Sequence, residues 1–144
     1  MKHTLLIITA LMLIYGCIKP IDGKRNSKSI HWYENGQKSI EVNYKGGHLN
    51  GLWTGWYENG KKYYENTLKD GKRNDKSIWW YENGRKWEEI TYKDGEKDGE
   101  YTIWHENGKK WEEITYKDGK LIVKKCWDED ENKCECAEYH GCKF

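Results

Sequence analysis

The pentapeptide Trp32-Tyr33-Glu34-Asn35-Gly36 sets the architecture of this chain, because it recurs every 24 residues. Its copies begin at Trp56, at Trp80 and, with histidine in place of tyrosine, at Trp104. A second word, Lys-Asp-Gly or Lys-Gly-Gly, recurs with the same spacing at Lys45, Lys69, Lys93 and Lys117. A constant period without insertions predicts four tandem repeats in residues 24–119, each contacting mainly its neighbours.

Each repeat is predicted to be one β-hairpin, because Asn-Gly readily supplies the positive φ angles of a tight two-residue turn. The flanking residues 78–81 and 86–92 are rich in the β-branched and aromatic types that favour strands. The turn pairs are Asn35-Gly36, Asn59-Gly60, Asn83-Gly84 and Asn107-Gly108. This loop would place Trp80 opposite Trp87, Trp104 opposite Trp111 and Trp56 opposite Tyr63. A three-residue loop with a glycine bulge is the alternative, and it would shift each pairing by one residue.

The fold class that follows is all-β. Four hairpins in a row give roughly eight antiparallel strands, which extend on the order of 40 Å at about 4.8 Å per strand. We therefore expect an elongated, twisted, open ribbon of solenoid-like character rather than a globule. The tryptophans that open each word are predicted to form the repeat core, because they recur without variation; they are Trp32, Trp56, Trp80 and Trp104.

The N-terminus predicts export. Lys2 and His3 precede an apolar run at residues 5–14, which is too short for a stable membrane span and typical of a signal peptide. The run ends in Ile14-Tyr15-Gly16-Cys17, which resembles the lipobox of bacterial lipoproteins, although Tyr15 is bulkier than usual. The resemblance implies a signal peptide at residues 1–16, lipid on Cys17 and a tether at 17–23. The chain would then be anchored to a bacterial membrane in the cell envelope, facing the periplasm or the surface. An ordinary signal peptide with a free Cys17 thiol is the alternative.

Charge and residue usage argue against two classes of function. Without residues 1–16 the chain has 24 basic and 24 acidic residues, so nucleic acid is a poor partner. We expect no enzyme, no catalytic residue and no cofactor, because no unique serine or cysteine accompanies a unique base. The neighbouring carboxylates Glu88 and Glu89 should point to opposite faces of a strand. His31 and His105 occupy positions that other residue types fill in sister repeats.

Residues 120–144 break the period and are predicted to form a degenerate fifth repeat with a cysteine-rich cap. In an exported protein the four cysteines Cys126, Cys134, Cys136 and Cys142 indicate disulfides, and they allow three pairings. We favour Cys126 with Cys134 across the fifth turn, and Cys136 with Cys142. Such crosslinks would protect the terminal repeat, which lacks a neighbour on one side.

No metal site is expected in this tail. A four-thiolate zinc site is the rival of the disulfides, but the sequence contains no Cys-x-x-Cys pair. The acidic run at 128–132 suggests calcium, but Lys133 stands where a calcium loop needs glycine and Tyr139 where it needs glutamate. A solvated acidic turn is therefore favoured.

The pattern Trp-Tyr-Glu-Asn-Gly-Lys-Lys, followed by Tyr-Lys-Asp-Gly-Lys, resembles the MORN repeat variant of bacterial proteins in the YwqK-type antitoxin family. The resemblance covers residues 24–119 and implies an open antiparallel sheet of stacked hairpins. Gly51 and Gly99 match glycines that the family places between turn and strand, whereas Ser27 and Asp75 stand in the other two repeats. The family's antitoxin label implies neutralisation of a toxin by binding.

Two binding functions remain. The favoured one is a protein-binding ribbon whose partner is a toxin, an envelope protein or a host protein, with an exposed aromatic row of Trp53, Trp79 and Tyr101 as its centre. In the alternative, the rings stack on glycans or choline, because residues 54–64 resemble cell-wall-binding repeats. That family has shorter units and lacks the Lys-Asp-Gly turn, so a protein partner is favoured.

The lipid anchor can be tested by Cys17→Ser. Without its thiol the chain cannot accept a diacylglycerol, so lipid labelling should disappear and the protein should leave the membrane fraction. Metabolic labelling with a fatty-acid analogue and fractionation measure the two effects. Membrane retention with an undiminished label would contradict the anchor.

Overall fold

The computed structural model describes residues 26–137 and 140–143, and all its regular elements are strands. Ten strands form one open antiparallel sheet in chain order, which confirms the predicted all-β meander. They are β1 (Ser27–Trp32), β2 (Lys38–Lys45), β3 (His48–Trp56), β4 (Lys62–Lys69), β5 (Lys72–Trp80), β6 (Lys86–Lys93), β7 (Glu96–Trp104), β8 (Lys110–Lys117), β9 (Lys120–Trp127) and β10 (Lys133–Cys134). The tail contributes β9 and β10, which extend the sheet beyond the roughly eight strands expected from four hairpins. The signal peptide, Cys17 and the tether lie outside the described residues.

A search of the described residues for a helix long and apolar enough to cross a bilayer finds none.

Each Asn-Gly pair lies in a three-residue loop, so the prediction of a two-residue loop is wrong. In the third repeat the amide of Tyr81 donates to the carbonyl of Arg85, and the amide of Gly84 donates to the carbonyl of Tyr81, both at 2.8 Å. The loop is therefore Glu82-Asn83-Gly84, and of these only the glycine has a positive φ, 92°. The Asn83 side chain instead accepts a hydrogen bond from the Arg85 amide at 2.8 Å. Asparagine thus closes the loop through its side chain.

The longer loop shifts only the cross-strand pair next to each turn by one residue, and a bulge restores the predicted register along the rest of the hairpin. Trp80 pairs with Lys86 and Trp79 with Glu88, which leaves Trp87 as an extra residue on β6. The predicted pairings of Trp80 with Trp87, Trp104 with Trp111, and Trp56 with Tyr63 are therefore wrong. The extra aromatic residue packs against the turn instead, as in the contact between Tyr57 and Tyr63, whose ring centroids are 5.5 Å apart.

The two-residue loop occurs at the other end of the hairpins, in the Asp-Gly word. Lys69 pairs with Lys72, and the intervening Asp70 and Gly71 have φ values of 51° and 79°. Two consecutive positive φ angles define the type I′ turn, whose twist suits antiparallel strands. The equivalent turns are Gly46-Gly47, Asp94-Gly95 and Asp118-Gly119.

A third backbone feature explains the glycines between turn and strand. Gly51, Asp75 and Gly99 all have positive φ, at 92°, 72° and 119°. They lie where one strand carries extra residues relative to its partner. Aspartate tolerates this conformation better than most residues, so Asp75 preserves the backbone of the repeat without glycine.

The sheet has two chemically different faces. The buried face holds Ile40, Val42, Tyr64, Leu68, Ile90, Tyr92, Tyr101, Ile103, Ile114 and Cys126. Its central cluster is covered by Trp79, Trp111 and Tyr116. The ion-pair face holds Glu41, Glu65, Glu89 and Glu113, each bound by the lysine three residues before it. Alternation along each strand separates the two sets.

The four tryptophans that open each repeat are not the core, contrary to prediction. They lie partly exposed on the ion-pair face, where a lysine of the preceding repeat covers the ring of Trp56, Trp80 and Trp104. Lys38, for example, is 5.5 Å from the centre of the Trp56 ring and also bonds Glu41. Trp32 has no lysine over it among the described residues and is 58% exposed. The aromatic rings on the buried face come instead from the turn tyrosines and from the bulge residue after each turn, such as Trp111.

Two ladders of hydrogen bonds join each turn to the next. The tyrosine hydroxyl donates to the tryptophan carbonyl of the following repeat at 2.6–2.8 Å, in the pairs Tyr33 to Trp56, Tyr57 to Trp80 and Tyr81 to Trp104. The asparagine amide donates to the next glutamate carbonyl, in the pairs Asn35 to Glu58, Asn59 to Glu82 and Asn83 to Glu106. The turn word is thus repeated because each copy binds the next.

Both disulfides form in the tail, but the favoured pairing is wrong. Cys126 is bonded to Cys136 and Cys134 to Cys142, with Cα separations of 5.4 and 5.5 Å. Cys134 does lie opposite Cys126 in the β9–β10 ladder, as predicted. The chain after β10 turns back, however, and places Cys136 opposite Cys142 in an isolated bridge. This returning segment therefore presents one cysteine to each strand of the last hairpin.

The cap covers a buried carboxylate at the end of the sheet. Glu112 is fully buried, and its oxygens lie 3.1 Å from Lys124 Nζ and 3.1 Å from His140 Nδ1. The amide of Gly141 also donates to this carboxylate. A buried charge needs such partners, so these contacts hold the cap on the buried face of the last repeat.

The tyrosine ladder can be tested with Tyr57→Phe. Loss of the hydroxyl leaves the Trp80 carbonyl without this donor, and the free energy of unfolding should fall by about 1 kcal/mol. Urea denaturation of the purified protein, with its disulfides intact, measures the change.

The matched control is Tyr44→Phe. The Tyr44 hydroxyl is buried and has no hydrogen-bond partner in the described chain, so its removal should leave the stability unchanged or raise it. Equal losses in both variants would contradict a specific role for the ladder.

Candidate functional site

The predicted aromatic row is not an exposed surface. Tyr101 is 8% exposed, and Trp53 and Trp79 are partly buried on the same face. The Trp53 ring packs edge-on against Tyr64, with centroids 5.5 Å apart, and the Arg73 guanidinium lies 5.8 Å from the Trp79 ring centre. These side chains pack within the sheet, so the prediction of an exposed aromatic row is wrong.

The ion-pair face is satisfied internally. Glu113 accepts hydrogen bonds from Lys110 at 2.7 Å and Lys125 at 2.8 Å, and these hold its pKa at about 2. Hydrogen bonds from Lys28 and Lys38 lower the pKa of Glu41 in the same way. Because each charge has its partner on the same face, this side of the sheet offers no strong field of one sign to a ligand.

The outer edge of β9 is the feature best placed to receive a partner. β10 pairs with β9 only at Cys126 and Trp127, and within residues 26–137 and 140–143 no strand covers the edge from Lys120 to Lys125. The backbone N–H and C=O groups on that edge are therefore free to pair with another strand.

The side chains of this edge are apolar as well. Leu121, Ile122 and Val123 are 53%, 62% and 41% exposed, and they form the longest aliphatic run after the N-terminal segment. Lysines lie on both sides of the run, at Lys120 and Lys124. An uncovered edge with three neighbouring exposed aliphatic side chains has the main-chain and side-chain features that strand addition by an extended peptide requires.

The sequence alone did not identify this site, although the aliphatic run of Leu121, Ile122 and Val123 is plain in it. The aliphatic run was visible, but it gained meaning only when β10 proved to be two residues long and left most of β9 uncovered. The opposite edge, β1, exposes Ile30 by 36% and Trp32 by 58%. It lies next to residues outside the described part of the chain, so β9 is the better candidate.

The titratable clusters of the described residues form no metal centre. In residues 26–137 and 140–143, no three His, Cys, Asp or Glu side chains are placed to hold an ion together. In the acidic run, the carboxylate of Asp128 accepts hydrogen bonds from the amides of Asn132 and Asp130, at 2.9 and 3.0 Å. The bond from Asn132 is the main cause of its lowered pKa. Asp128 therefore closes the fifth turn.

Comparison with known proteins identifies the repeat. The model of the MORN repeat variant matches residues 25–45, 49–70, 76–94 and 97–118, more than half of the chain. Each match contains one hairpin with its three-residue loop. No curated protein matches the chain.

The ion-pair face generates a prediction about acid. The carboxyl pKa of Glu113 lies at about 2 in the folded protein, below its ordinary 4.5, so the group stabilises the fold above pH 4.5 and loses this effect as pH falls through 2. Glu113→Gln should lower the free energy of unfolding at pH 7 by at most about 1 kcal/mol, because the pair is partly exposed. The difference from the parent should shrink below pH 4.5 and vanish below pH 2, as measured by urea denaturation across this range.

Lys125→Met provides the control for this effect. Removal of one of the two donors should raise the pKa of Glu113 toward 4.5, which a carboxyl-carbon NMR titration resolves directly. A folded parent protein in which Glu113 titrates near 4.5 would show that the lysines do not hold the carboxylate.

Proposed function

Because the chain belongs to the MORN repeat variant family, whose repeats commonly mediate binding to proteins or membranes, we propose that it is a protein-binding module. In this proposal the free edge of β9 takes an extended segment of a partner protein as an additional strand. The observation that carries the proposal is the uncovered edge from Lys120 to Lys125 with its exposed aliphatic run.

Strand addition suits this edge for two reasons. The unpaired N–H and C=O groups supply main-chain hydrogen bonds of the kind that already join β8 to β9. Leu121 and Val123 lie on opposite faces of the sheet. Their partners on β8, Tyr116 and Thr115, are adjacent residues whose side chains point to opposite faces, and each β9 residue shares the face of its partner. An incoming strand would therefore find apolar contacts on both faces.

A glycan partner is the weaker alternative. Glycan-binding repeats present exposed rings that stack on sugars, but the rings of Trp53, Trp79 and Tyr101 are packed within the sheet. The most exposed tryptophans are Trp32 at 58% and Trp87 at 42%, and they lie on β1 and β6. Rings so far apart cannot form one stacking platform.

We infer that this module is anchored in the cell envelope through lipid on Cys17. An N-terminal anchor would lie on the β1 side of the sheet, whereas β9 lies eight strands away. At about 4.8 Å per strand the binding edge would be held on the order of 40 Å from β1. The arrangement supports capture of a partner in the surrounding space, and neutralisation of a toxin is one activity that such capture could perform.

The β9 edge can be tested with Ile122→Lys. A charged side chain in the middle of the aliphatic run should reduce capture of envelope or secreted proteins by roughly tenfold, which corresponds to about 1.4 kcal/mol. The purified protein is immobilised, and the partners that it retains are quantified by mass spectrometry. Ile122 is 62% exposed, so the substitution should not unfold the sheet.

Ile30→Lys is the matched control, because it makes the same change at an exposed aliphatic residue on the opposite edge strand. It should leave capture unchanged. Equal loss in both variants would contradict the β9 site. A glycan array run in parallel decides the alternative, since a retained glycan without any retained protein would refute a protein partner.

A further inference from the structure

A cleft of about 440 Å³ lies between the fourth turn, the fifth turn and the cap. Its aromatic lining consists of His105, Trp111, Trp127 and His140, and its acidic rim consists of Asp128, Glu129 and Asp130. A cleft of this volume is large enough for a small ligand or for one long side chain of a partner.

The cleft coincides with a break in the tyrosine ladder. In the preceding repeat, the Tyr81 hydroxyl donates to the carbonyl of Trp104 at 2.8 Å and so spans the gap between two turns. The fourth repeat has His105 instead, which lacks the hydroxyl and stacks on Trp111 with centroids 5.1 Å apart. In the described chain no side chain donates to the carbonyl of Trp127, the next acceptor in the series. Within the described residues, the replacement of tyrosine by His105 thus leaves both the space and the Trp127 carbonyl open.

His105 itself remains unsatisfied. Its Nε2 atom is buried and has no hydrogen-bond partner in the described residues. Buried polar atoms in folded proteins usually have a hydrogen-bond partner, so the unpaired Nε2 of His105 indicates that a further group could bind there. In the first three repeats the hydroxyl of the tyrosine at this position has a partner, because it donates to the tryptophan carbonyl of the next repeat.

The rim of the cleft favours a positive charge. Neither Glu129 nor Asp130 forms an ion pair with another described residue, and the carboxylate of Asp128 accepts hydrogen bonds that lower its pKa. The nearby cations have other partners. Lys110 forms an ion pair with Glu113 and lies over the Trp127 ring. Lys124 lies 3.1 Å from Glu112.

Among the described residues, Lys109 is directed to the rim: its Nζ donates to the carbonyl of Glu129 at 2.9 Å, and its charge contributes to the lowered pKa of Asp128. The three carboxylates at the rim therefore exceed the positive charge beside them. The aromatic rings below can add attraction for a cation through their π faces.

We propose that this cleft binds an organic cation with N–H donors, an alkylammonium or alkylguanidinium group. The donors would satisfy the Trp127 carbonyl and the rim carboxylates, and the alkyl chain would lie against Trp111. The group could belong to a free amine or to a lysine or arginine side chain of another protein. The site does not depend on the β9 edge, which lies outside this lining.

The experiment is a titration of the purified, disulfide-intact protein with n-butylguanidinium and n-butylammonium, followed by ¹H–¹⁵N NMR. We expect saturable shifts of the indole N–H signals of Trp111 and Trp127, and none with the neutral n-butanol. Equal shifts with n-butanol would overturn the proposal, because they would show an apolar cleft without charge selection.

His105→Tyr is the decisive variant. It restores the residue of the sister repeats, so it should fill the cleft, donate to the Trp127 carbonyl and abolish cation binding without loss of thermal stability. Full binding by this variant would overturn the proposal. Thermal unfolding monitored alongside separates a filled cleft from an unfolded protein.

The acidic rim is tested by Asp130→Asn, with Asp94→Asn in a remote turn as the control of equal charge change. Loss of a rim carboxylate should weaken binding on the order of three- to fivefold, whereas the remote change should have no effect. Equal weakening by both would refute a local site.

An arginine- or lysine-containing tetrapeptide, compared with the free cations, identifies the source of the group. Tighter binding of the peptide supports a protein side chain, and tighter binding of the free cation supports a small amine. No saturable binding of either kind would overturn the proposal.

Discussion

A single-layered sheet has no second layer to cover its apolar side chains, so each repeat of this protein depends on contact with the next. The buried face is sealed by neighbouring repeats, as Trp79, Trp111 and Tyr116 pack against one central cluster. The tyrosine and asparagine ladders fix the distance between successive turns. Stability is therefore shared along the ribbon, and the ends of the ladders are where it needs reinforcement.

The C-terminal end meets this need with covalent and ionic contacts in place of a further repeat. Two disulfides link the last hairpin to the returning segment, and His140 and Gly141 bind the buried carboxylate of Glu112. The cap closes the buried face but leaves the outer edge of β9 uncovered. The described C-terminal end of the fold thus combines a disulfide-crosslinked segment with an uncovered strand edge.

Much of this architecture could be predicted from the sequence, because the 24-residue period requires one supersecondary unit to recur. The hairpins, the strand order and the cysteine-rich cap follow from it. The turn and the pair beside it did not, since Asn-Gly can serve a two-residue or a three-residue loop, and hydrogen bonds such as that from the Arg85 amide to Asn83 select the latter. The disulfide pairing and the exposure of Trp53, Trp79 and Tyr101 depended on how the tail returns and on how rings share one face, which spacing alone does not encode.

Because the contacts between repeats recur with the same spacing, the length of the ribbon is set by the number of repeats. Because every tyrosine and asparagine bond spans the same 23 positions, a unit of 24 residues could be duplicated or deleted with all junctions preserved. Each duplication would add two strands and move the terminal edge outward by about 10 Å. Copy number, rather than any change of side chain, could then set how far this protein reaches.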